Sequence, residues 1–281
     1  MAVNRIYIII PVYNRKHFTR ECLLSLRIQT FQNFKVIVVD DGSTDGTGEM
    51  IEKEFSDVIL LKGDGNLWWT GAMKKGMEFA CQQGAELLIW LNDDCLPAYD
   101  AIDHIYRYCH NHPDTIAAAS CYVTCNETPI FTGFKGRQRL AASPGEVIVV
   151  EGCSGYCVGV PATIVRRIGY PDVRRFPHYG GDGMYILKAT RYGYNACILG
   201  SAKVMLIEEP EPTHKFLNQA KTNPDWKYLF WNKKSRYHMP SQFYYHMNKY
   251  GVWLGMPLFL IKLLIWLGKL MQLKLRGTLQ H

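Results

Sequence analysis

Three consecutive polar residues, Asn92, Asp93 and Asp94, follow directly after the apolar run at 87–91. Two adjacent carboxylates at the end of a buried strand can serve two different ligands. One accepts hydrogen bonds from ribose hydroxyls, and the other ligates a hard cation, Mg²⁺ or Mn²⁺, that bridges diphosphate oxygens and stabilises a departing nucleotide. The same residues also suit a solvated turn or a helix N-cap, so the motif alone leaves both interpretations open.

A second acidic pair, Asp40 and Asp41, ends the apolar run at 34–39. An acid held at a strand end can accept a hydrogen bond from the imide N–H of a uracil or thymine ring. Turn and cap chemistry explains the Gly-Ser-Thr-Asp run at 42–45, because glycine permits a tight turn and the polar residues cap helices. It explains two consecutive acids less well, and the pair therefore favours a binding role.

The elements that position these acids follow from hydrophobic periodicity. Apolar runs predict strands at 6–10, 34–39, 58–61 and 87–91, and amphipathic spacing predicts helices at 16–28, 47–55 and 71–83. We expect Pro11 to end the first strand. Alternating strands and helices predict an α/β fold with a doubly wound, mostly parallel sheet, whose ligands bind outside the carboxyl ends of strands. Residues 11–14, 40–41 and 92–94 all fall at such ends, so the sequence predicts one shared site.

The composition is that of a folded chain, with 281 residues, 48% hydrophobic and 20% charged, and a net charge of +7. The positive charge is concentrated at 221–276 beside an apolar stretch, which favours an anionic membrane surface over nucleic acid. Nine cysteines without a CxxC pair indicate reduced thiols in the cytoplasm rather than a disulfide framework or a zinc site. The short N-terminal apolar run predicts no secretory signal.

The apolar stretch at 252–270 is rich in tryptophan, leucine and isoleucine and contains Pro257, Lys262 and Lys269. A charge near the middle of a spanning helix is expensive, which disfavours a transmembrane segment. The flanking aromatic and basic residues favour a helix that lies in the membrane interface. Packing on the rest of the chain or on a partner subunit is the alternative, which leaves a homo-oligomer open.

Four motifs occur in a fixed order over the first hundred residues: Pro-Val-Tyr-Asn at 11–14, Val-Val-Asp-Asp-Gly-Ser-Thr-Asp at 38–45, Asn66 with Gly71, Ala72 and Gly76, and Leu-Asn-Asp-Asp at 91–94. Together they resemble family 2 glycosyltransferases of GT-A fold. The Gly-Asn-Leu-Trp-Trp-Thr-Gly stretch at 65–71 is similar to bacterial members that build cell-surface polysaccharides, including rhamnosyltransferase-like ones. The resemblance implies a nucleotide-sugar donor, UDP- or dTDP-linked, and Mg²⁺ or Mn²⁺ as cofactor.

The resemblance also implies roles for single residues. Val12, Tyr13 and Asp40 would line the nucleobase pocket, Asp93 would contact the ribose, and Asp94 would hold the metal. The donor-binding set further contains Pro11, Asn14, Trp69 and Gly71. Trp69 either stacks on the donor or anchors the core, because large aromatics are also buried for their area alone. The family usually has an acid where Asn92 stands, so Asp94 would carry most of the metal binding, and weak or partial metal dependence is one expectation.

On the acceptor side, family members have an acidic pair just before a helix that we predict at 182–192. Gly181 replaces the first acid, and Asp182 matches the second, which is the general base. A lone carboxylate suffices if it reaches the acceptor hydroxyl, and an N-cap is the alternative role. His214 matches a histidine that reaches the metal in related enzymes, where neutral imidazole can ligate Mn²⁺. An exposed loop histidine is the plainer alternative.

We therefore expect an inverting glycosyltransferase that moves a sugar to a hydroxyl of a glycan or lipid-linked acceptor in surface polysaccharide synthesis. A GT-A domain would occupy 1–215, with a donor half at 1–100 and an acceptor half at 101–215, before a basic helical extension at 216–281. The protein would lie in the cytoplasm, peripherally at the inner face of the plasma membrane. The rivals are a sugar nucleotidyltransferase, which ordinarily has a glycine-rich phosphate loop, and a catalytically silent glycan- or membrane-binding protein.

Overall fold

The computed structural model of the chain describes residues 5–123, 128–207 and 226–278. His214 and the predicted domain boundary at 215–216 lie outside these residues. The strands are β1 Ile6–Val12, β2 Lys35–Asp40, β3 Ile59–Lys62, β4 Leu87–Leu91, β5 Cys95–Pro97, β6 Thr115–Val123, β7 Gly133–Lys135, β8 Gln138–Leu140, β9 Val147–Val149, β10 Gly152–Cys153, β11 Cys157–Pro161 and β12 Asn195–Leu206. The helices are α1 Lys16–Arg27, α2 Thr47–Glu54, α3 Trp68–Gln82, α4 Ala101–Asn111, α5 Ala162–Ile168, α6 Gly181–Arg191, α7 Trp226–Trp231 and α8 Met239–Thr278.

Strand β1 lies at the centre of the first half of the sheet and is buried along its whole length. It pairs in parallel with β2 on one side and with β4 on the other. The prediction that Pro11 ends this strand is wrong, because β1 continues to Val12 and Pro11 pairs with Val39 of β2. The pairing with β4 already ends at Ile9, so the proline interrupts no ladder on that side.

The main sheet has the strand order β3-β2-β1-β4-β11-β6-β12-β5, and β9 pairs with β12. The first four strands in this order are parallel. Strand β11 is antiparallel to both of its neighbours, whereas β12 runs parallel to β6. The predicted α/β fold, a mostly parallel sheet flanked by helices, is therefore confirmed, with a mixed second half.

Alternate residues of β1 enter two cores on opposite faces of the sheet, because successive strand side chains point to opposite sides. Ile8 and Ile10 belong to the core that α1, α2 and α4 cover. Tyr7 and Ile9 belong to the core that α3, α5 and α6 cover. Since both faces are covered by helices, the polar side chains collect at the strand ends, which positions the candidate site.

The C-terminal extension contains a helical hairpin. Helix α8 is broken at Gly251, whose φ of 75° and ψ of 171° are not helical. The arm at 252–278 folds back along the arm at 239–250. Phe259 meets Phe243 with ring centroids 5.6 Å apart, and Lys262 Nζ donates to Gln242 Oε1 at 2.9 Å. The prediction of a helical extension therefore takes the specific form of an antiparallel pair of arms.

Both arms of the hairpin contact the rest of the chain, and Trp266 of the second arm is buried against Phe230 of α7. Tyr244 and Tyr245 pack on a small core that includes Met184 of α6. The second arm leaves one face exposed, with Trp253 at 95% and Leu264 at 68% of their surface accessible. By length and hydropathy, 239–272 qualifies as a candidate membrane span, and 17% of an 18-residue apolar stretch within it is buried. The break at Gly251 divides this apolar segment into two shorter helices.

Candidate active site

Short polar contacts join the carboxyl ends of β1 and β2. Asn14, in a left-handed conformation with φ of 52°, donates its N–H to Ser43 Oγ at 2.8 Å and accepts from Thr44 N at 2.7 Å. Asp40 is buried, and its Oδ1 accepts from Ser43 N at 2.9 Å. Its Oδ2 accepts no hydrogen bond from the residues that the structure describes. Tyr13 is 45% exposed. The strand ends thus offer an accessible ring beside a buried carboxylate.

Asp41, the second acid of this pair, is committed to the backbone. Its Oδ1 accepts from Gly65 N and Leu67 N at 2.9 and 3.1 Å, and its Oδ2 accepts from Trp68 N at 2.9 Å. These donors form the loop that opens α3, so Asp41 caps that helix from a neighbouring strand. Gly63 leaves room for the carboxylate, because a Cβ there would lie 2.5 Å from Asp41 Oδ1.

Arg15 bridges the two aspartates that follow β4. Its Nε donates to Asp93 Oδ2 at 3.0 Å, and its Nη2 donates to Asp94 Oδ2 at 3.3 Å. Burial raises the pKa of Asp93 to about 7, an effect that Arg15 opposes and Asp94 reinforces. Asp94 is more accessible, with 27% of its side chain exposed. The pair therefore presents one buried and one accessible carboxylate to a shared guanidinium.

Asn92 is held by a different partner. Its Oδ1 accepts a hydrogen bond from the indole N–H of Trp69 at 2.8 Å. Trp69 is partly buried and meets Trp90 edge to face, with ring centroids 5.8 Å apart. Its ring therefore packs against the core while its polar edge orients the residue that precedes the aspartates.

Asp182 lies in the first turn of α6, where two backbone donors fix its carboxylate. Gly155 N donates to Oδ2 and Gly183 N donates to Oδ1, each at 2.7 Å. Burial raises the pKa of this carboxyl, and the two hydrogen bonds oppose the shift. At the preceding position, a Cβ on Gly181 would collide with Thr70 Oγ1. This crowding by α3 accounts for the glycine at 181.

Gly155 joins the donor half to the acceptor half. A Cβ at this position would lie 2.9 Å from the Trp69 ring and 3.0 Å from Asp182 Cβ. A continuous row of contacts therefore runs from Asp182 through Gly155 and Trp69 to Asn92. Burial raises the pKa of the nearby Tyr156 hydroxyl, and both Asp182 and Asp94 add to that shift. Asp94 of the donor half and Asp182 of the acceptor half are therefore both close enough to raise the pKa of the same tyrosine.

The loop between α7 and α8 brings positive charge to the same end of the sheet. Lys234 Nζ lies 5.6 Å from the ring centroid of Tyr13, and the Arg236 guanidinium lies 5.2 Å from that of Tyr179. Both cations lower the pKa of His178, which burial chiefly brings to about 4. Its buried Nδ1 makes no hydrogen bond with any residue in the described ranges. His178 is therefore neutral at physiological pH.

Gly71 lies in α3 and lines an open cleft of about 770 Å³. This cleft contains Trp68, Lys74, Arg174 and Lys233 but none of the aspartates described above. It is therefore adjacent to the aspartate group rather than part of it.

The sequence model of glycosyl transferase family 2 matches residues 7–160, which contain the ends of β1, β2 and β4 with their aspartates. The chain belongs to family 2 of the glycosyltransferases. The predicted resemblance is thereby confirmed.

Curated glycosyltransferases are similar to this chain over part of their length. The glycosyltransferase GlyG of Streptococcus pneumoniae serotype 4 is 43% identical over 107 residues, which make up 36% of this chain and 34% of GlyG. GlyA of the same organism is 30% identical over 122 residues, 42% of this chain and 17% of GlyA. AglE of Haloferax volcanii is 35% identical over 96 residues, 32% of this chain and 30% of AglE. The chain thus matches about a third or less of these relatives' length.

Solved structures show the same fold. The TarS 1–349 fragment from S. aureus has a TM-score of 0.56 at 16% identity, covering 77% of this chain and 63% of the fragment. GalNAc-T7, crystallised with UDP, GalNAc and Mn²⁺, has a TM-score of 0.63 at 13% identity, covering 86% of this chain and 49% of that one. The GT-A fold of this family 2 chain is therefore confirmed.

Most of the residues that family 2 motifs single out lie together in this structure. Val12 and Asp40 are the last residues of β1 and β2, and Tyr13, Asp93 and Asp94 come just after β1 and the adjoining β4. Trp69 connects them to Asp182 through Gly155.

Sequence reasoning missed three features of the site: the guanidinium of Arg15 on both aspartates, the capping role of Asp41, and the cations of the loop at 232–238. Only Arg15 left a local signal, since it directly follows the motif at 11–14.

Proposed function

We propose that this family 2 chain transfers a sugar from a nucleotide-diphosphate donor to an acceptor hydroxyl, with inversion at the anomeric carbon. The observation that carries the proposal is the row of contacts linking Asp182 to the segment at 92–94 through Gly155 and Trp69. This row connects the carboxylate of Asp182 to the segment that carries Asp93 and Asp94. These are the two chemical functions that a single displacement requires, a base on one side and stabilisation of the leaving group on the other.

At the donor end, Val12, Tyr13 and Asp40 form the proposed nucleobase pocket. Asp40 Oδ2 supports this role, because it can accept the imide N–H of a uracil or thymine while Oδ1 stays on Ser43 N. Asp93 would accept from the ribose. TarS has been solved with UDP and with UDP-GlcNAc, and by analogy we propose a UDP- or dTDP-sugar donor.

The residues present fit a divalent cation. Within the described ranges there is no group of three or more His, Cys, Asp or Glu that could form a closed metal cage. Mg²⁺ needs no such cage, because one or two carboxylates plus substrate phosphates and waters complete its shell. We propose that Asp94, the accessible carboxylate, holds Mg²⁺ or Mn²⁺, which when bound neutralises the departing diphosphate. Arg15 supplies a second positive charge beside it.

Asp182 is the proposed base. Its two backbone hydrogen bonds hold the carboxylate in place, so that an oxygen of Asp182 can accept the proton of the attacking hydroxyl. The hydroxyl oxygen then bonds to the anomeric carbon as the bond from that carbon to the diphosphate breaks. A single attack from the face opposite the leaving group inverts the configuration.

We further propose that the chain works at the cytoplasmic surface of a membrane, on a glycan or lipid-linked acceptor for surface polysaccharide. The exposed face of the second hairpin arm supports a position at the membrane surface, because large apolar side chains such as Trp253 and Leu264 are accessible there. Lys262 and Lys269 lie within this arm, and their charges favour an arm that lies in the interface over one that spans the membrane.

The deciding experiment screens UDP-, dTDP- and GDP-sugars for thermal stabilisation of the protein with Mn²⁺, followed by hydrolysis assays of any hit. We expect one class of donor to stabilise the protein and to be hydrolysed slowly. Asp182→Asn should lower the rate of transfer by about a hundredfold or more while retaining donor binding, and Asp94→Asn should weaken Mn²⁺-dependent donor binding. If no nucleotide-sugar stabilises the wild type, and Asp94→Asn changes nothing, the proposed function is wrong.

A further inference from the structure

Two cations, Lys249 and Arg139, lie near the β7–β8 pair of strands beside the proposed base. Lys249 Nζ, at the end of the first hairpin arm, lies 3.9 Å from the ring centroid of Phe134. Arg139 is the direct cross-strand partner of Phe134 in the β7–β8 pair. Cross-strand partners project from the same face of a sheet, with Cβ atoms about 5 Å apart. The Arg139 guanidinium donates to Phe131 O at 3.2 Å and lies 5.9 Å from the Phe131 ring centroid, so the two cations lie near the same pair of strands.

This surface adjoins Asp182. The tip of the Phe134 ring packs on two glycines. A Cβ at Gly152 would lie 2.5 Å from the ring, and one at Gly183 would lie 3.5 Å from it. Gly183 is the residue whose N–H holds Asp182 Oδ1. Lys249 Nζ also donates to the hydroxyl of Tyr245 at 3.1 Å. The Phe134 ring therefore lies between Lys249 and the glycine that holds Asp182.

The charges in this cluster are not balanced by ion pairs. Within the described residues, neither Lys249 nor Arg139 has a carboxylate within 4 Å. Burial lowers the pKa of Lys249, Glu151 opposes the shift, and Arg139 adds to it. The carboxylate of Glu151 is itself engaged by Gly136 N at 2.8 Å. Lys249 is partly buried and Arg139 is exposed, so two like charges gather here without a carboxylate partner. Phosphate is an anion that Lys and Arg side chains bind through charge-assisted hydrogen bonds.

The neighbouring segment indicates where such a phosphate would come from. The helix is interrupted at Gly251, two residues after Lys249. The next residues, Val252, Trp253 and Leu254, are all exposed. An apolar tip beside a cationic pair matches the two parts of a lipid phosphate, whose tail enters the membrane while its head group stays at the surface.

We propose that Lys249 and Arg139 bind the phosphate or diphosphate of a lipid-linked acceptor and so present its sugar to Asp182. This assignment rests on the proposed function, and it narrows the acceptor from any glycan to one that still carries its lipid phosphate. Lys249 and Arg139 act here as binding residues and take no part in proton transfer.

The test uses the full chain and neutral phosphatidylcholine vesicles that contain either geranylgeranyl diphosphate or geranylgeraniol. Vesicle flotation without any sugar donor measures binding independently of turnover. We expect the wild type to bind the diphosphate vesicles at least about tenfold more tightly than the alcohol vesicles, which corresponds to the energy of one strong charge-assisted contact. The double variant Lys249→Met/Arg139→Gln should lose this preference, and both replacements keep long side chains at these positions.

A matched control removes two positive charges from the other basic surface, the cleft beside α3, in Arg174→Gln/Lys233→Met. This variant should retain the preference. The proposal is overturned if the wild type shows no preference, if the Lys249/Arg139 variant keeps it, or if free pyrophosphate binds as tightly as the lipid diphosphate. Hydrolysis of nucleotide-sugars by the wild type, assayed separately, decides whether the proposed function itself fails.

Discussion

The indole N–H of Trp69 donates a hydrogen bond to the side-chain oxygen of Asn92 at 2.8 Å. This contact makes the position before the two aspartates a structural acceptor. Replacing Trp69 by Phe preserves most of the ring packing but leaves the Asn92 oxygen without this partner. We expect a loss of about 1–3 kcal/mol in the free energy of unfolding, measured by urea denaturation. Asn92→Asp keeps an acceptor and should be nearly neutral; an equal loss in both variants would contradict the assignment.

Arg15 holds the carboxylates that we assign to ribose and metal, so its removal should change metal binding in the free protein. With Arg15→Met, Asp94 loses a nearby positive charge, and we expect Mn²⁺ to bind about fivefold more tightly, as follows from losing a partly exposed ion pair of about 1 kcal/mol. Titration followed by Mn²⁺ electron paramagnetic resonance measures this directly. Arg20→Met, in the helix that Arg15 precedes, removes a surface ion pair with Glu54 and serves as the control. Unchanged or weaker Mn²⁺ affinity in Arg15→Met would contradict this account.

The pH dependence of transfer should report Asp182. The base must be ionised, and burial raises its pKa above the usual value for aspartate. Activity should therefore increase with pH along a limb whose midpoint lies above about 4, the value for an unperturbed carboxyl. Asp182→Asn should lower kcat by about a hundredfold or more. Asp172→Asn, an exposed carboxyl paired with Arg175, should leave both the profile and kcat unchanged.

His178 should weaken the fold in acid. Its pKa of about 4 lies below the value near 6.5 of an unfolded chain. The unfolded state therefore binds more protons between these values, and stability decreases as pH falls through this window, by about 3 kcal/mol in total. Denaturation curves at pH 7 and pH 4 measure the difference. His178→Phe keeps a ring against Trp68 and should flatten the dependence; a slope identical to that of wild type would assign the effect to other groups.

The exposed face of the second hairpin arm should control membrane association. Trp253→Ser combined with Leu264→Ser removes two large apolar side chains that are accessible in the free protein. Each such side chain contributes about 1.5–3 kcal/mol when transferred out of water, so flotation with anionic vesicles should fall at least about tenfold. Ile28→Ser removes an exposed side chain remote from the hairpin and should not alter flotation. Equal flotation of all three proteins would indicate that the apolar face contacts protein instead.

The strand ends could be predicted from sequence because hydrophobic runs and polar stops are local signals. Residues 92–94 and Asp40 lie where the runs at 87–91 and 34–39 predict them. The separation of roles within the pair at 40–41 could not be predicted, because the backbone donors that engage Asp41 lie 24 to 27 residues further along the chain. Trp69 packs edge to face on Trp90 of the core, and its stacking on a donor stays a prediction.

The elements that escaped prediction have weak local signals. Strand β6 carries three consecutive alanines, which have low strand propensity, and it forms because the main sheet buries it. Strands β7 and β8 have three residues each, too few for a period to appear. The helical hairpin depends on a positive φ at Gly251, and glycine inside an apolar run signals only that such a bend is permitted.

The hairpin sets a length scale for the reaction. Tyr245 packs beside the helix that carries Asp182, and Trp253, the most exposed residue of the apolar tip, follows eight positions later. The first arm runs six positions from Tyr245 to the break at Gly251, which corresponds to about 9 Å along a helix. An acceptor held by a membrane-bound tip would then be reached only through its sugars nearest the lipid, and longer chains would carry their growing ends past the base. The hairpin would act as a ruler that confines this chain to an early step of assembly.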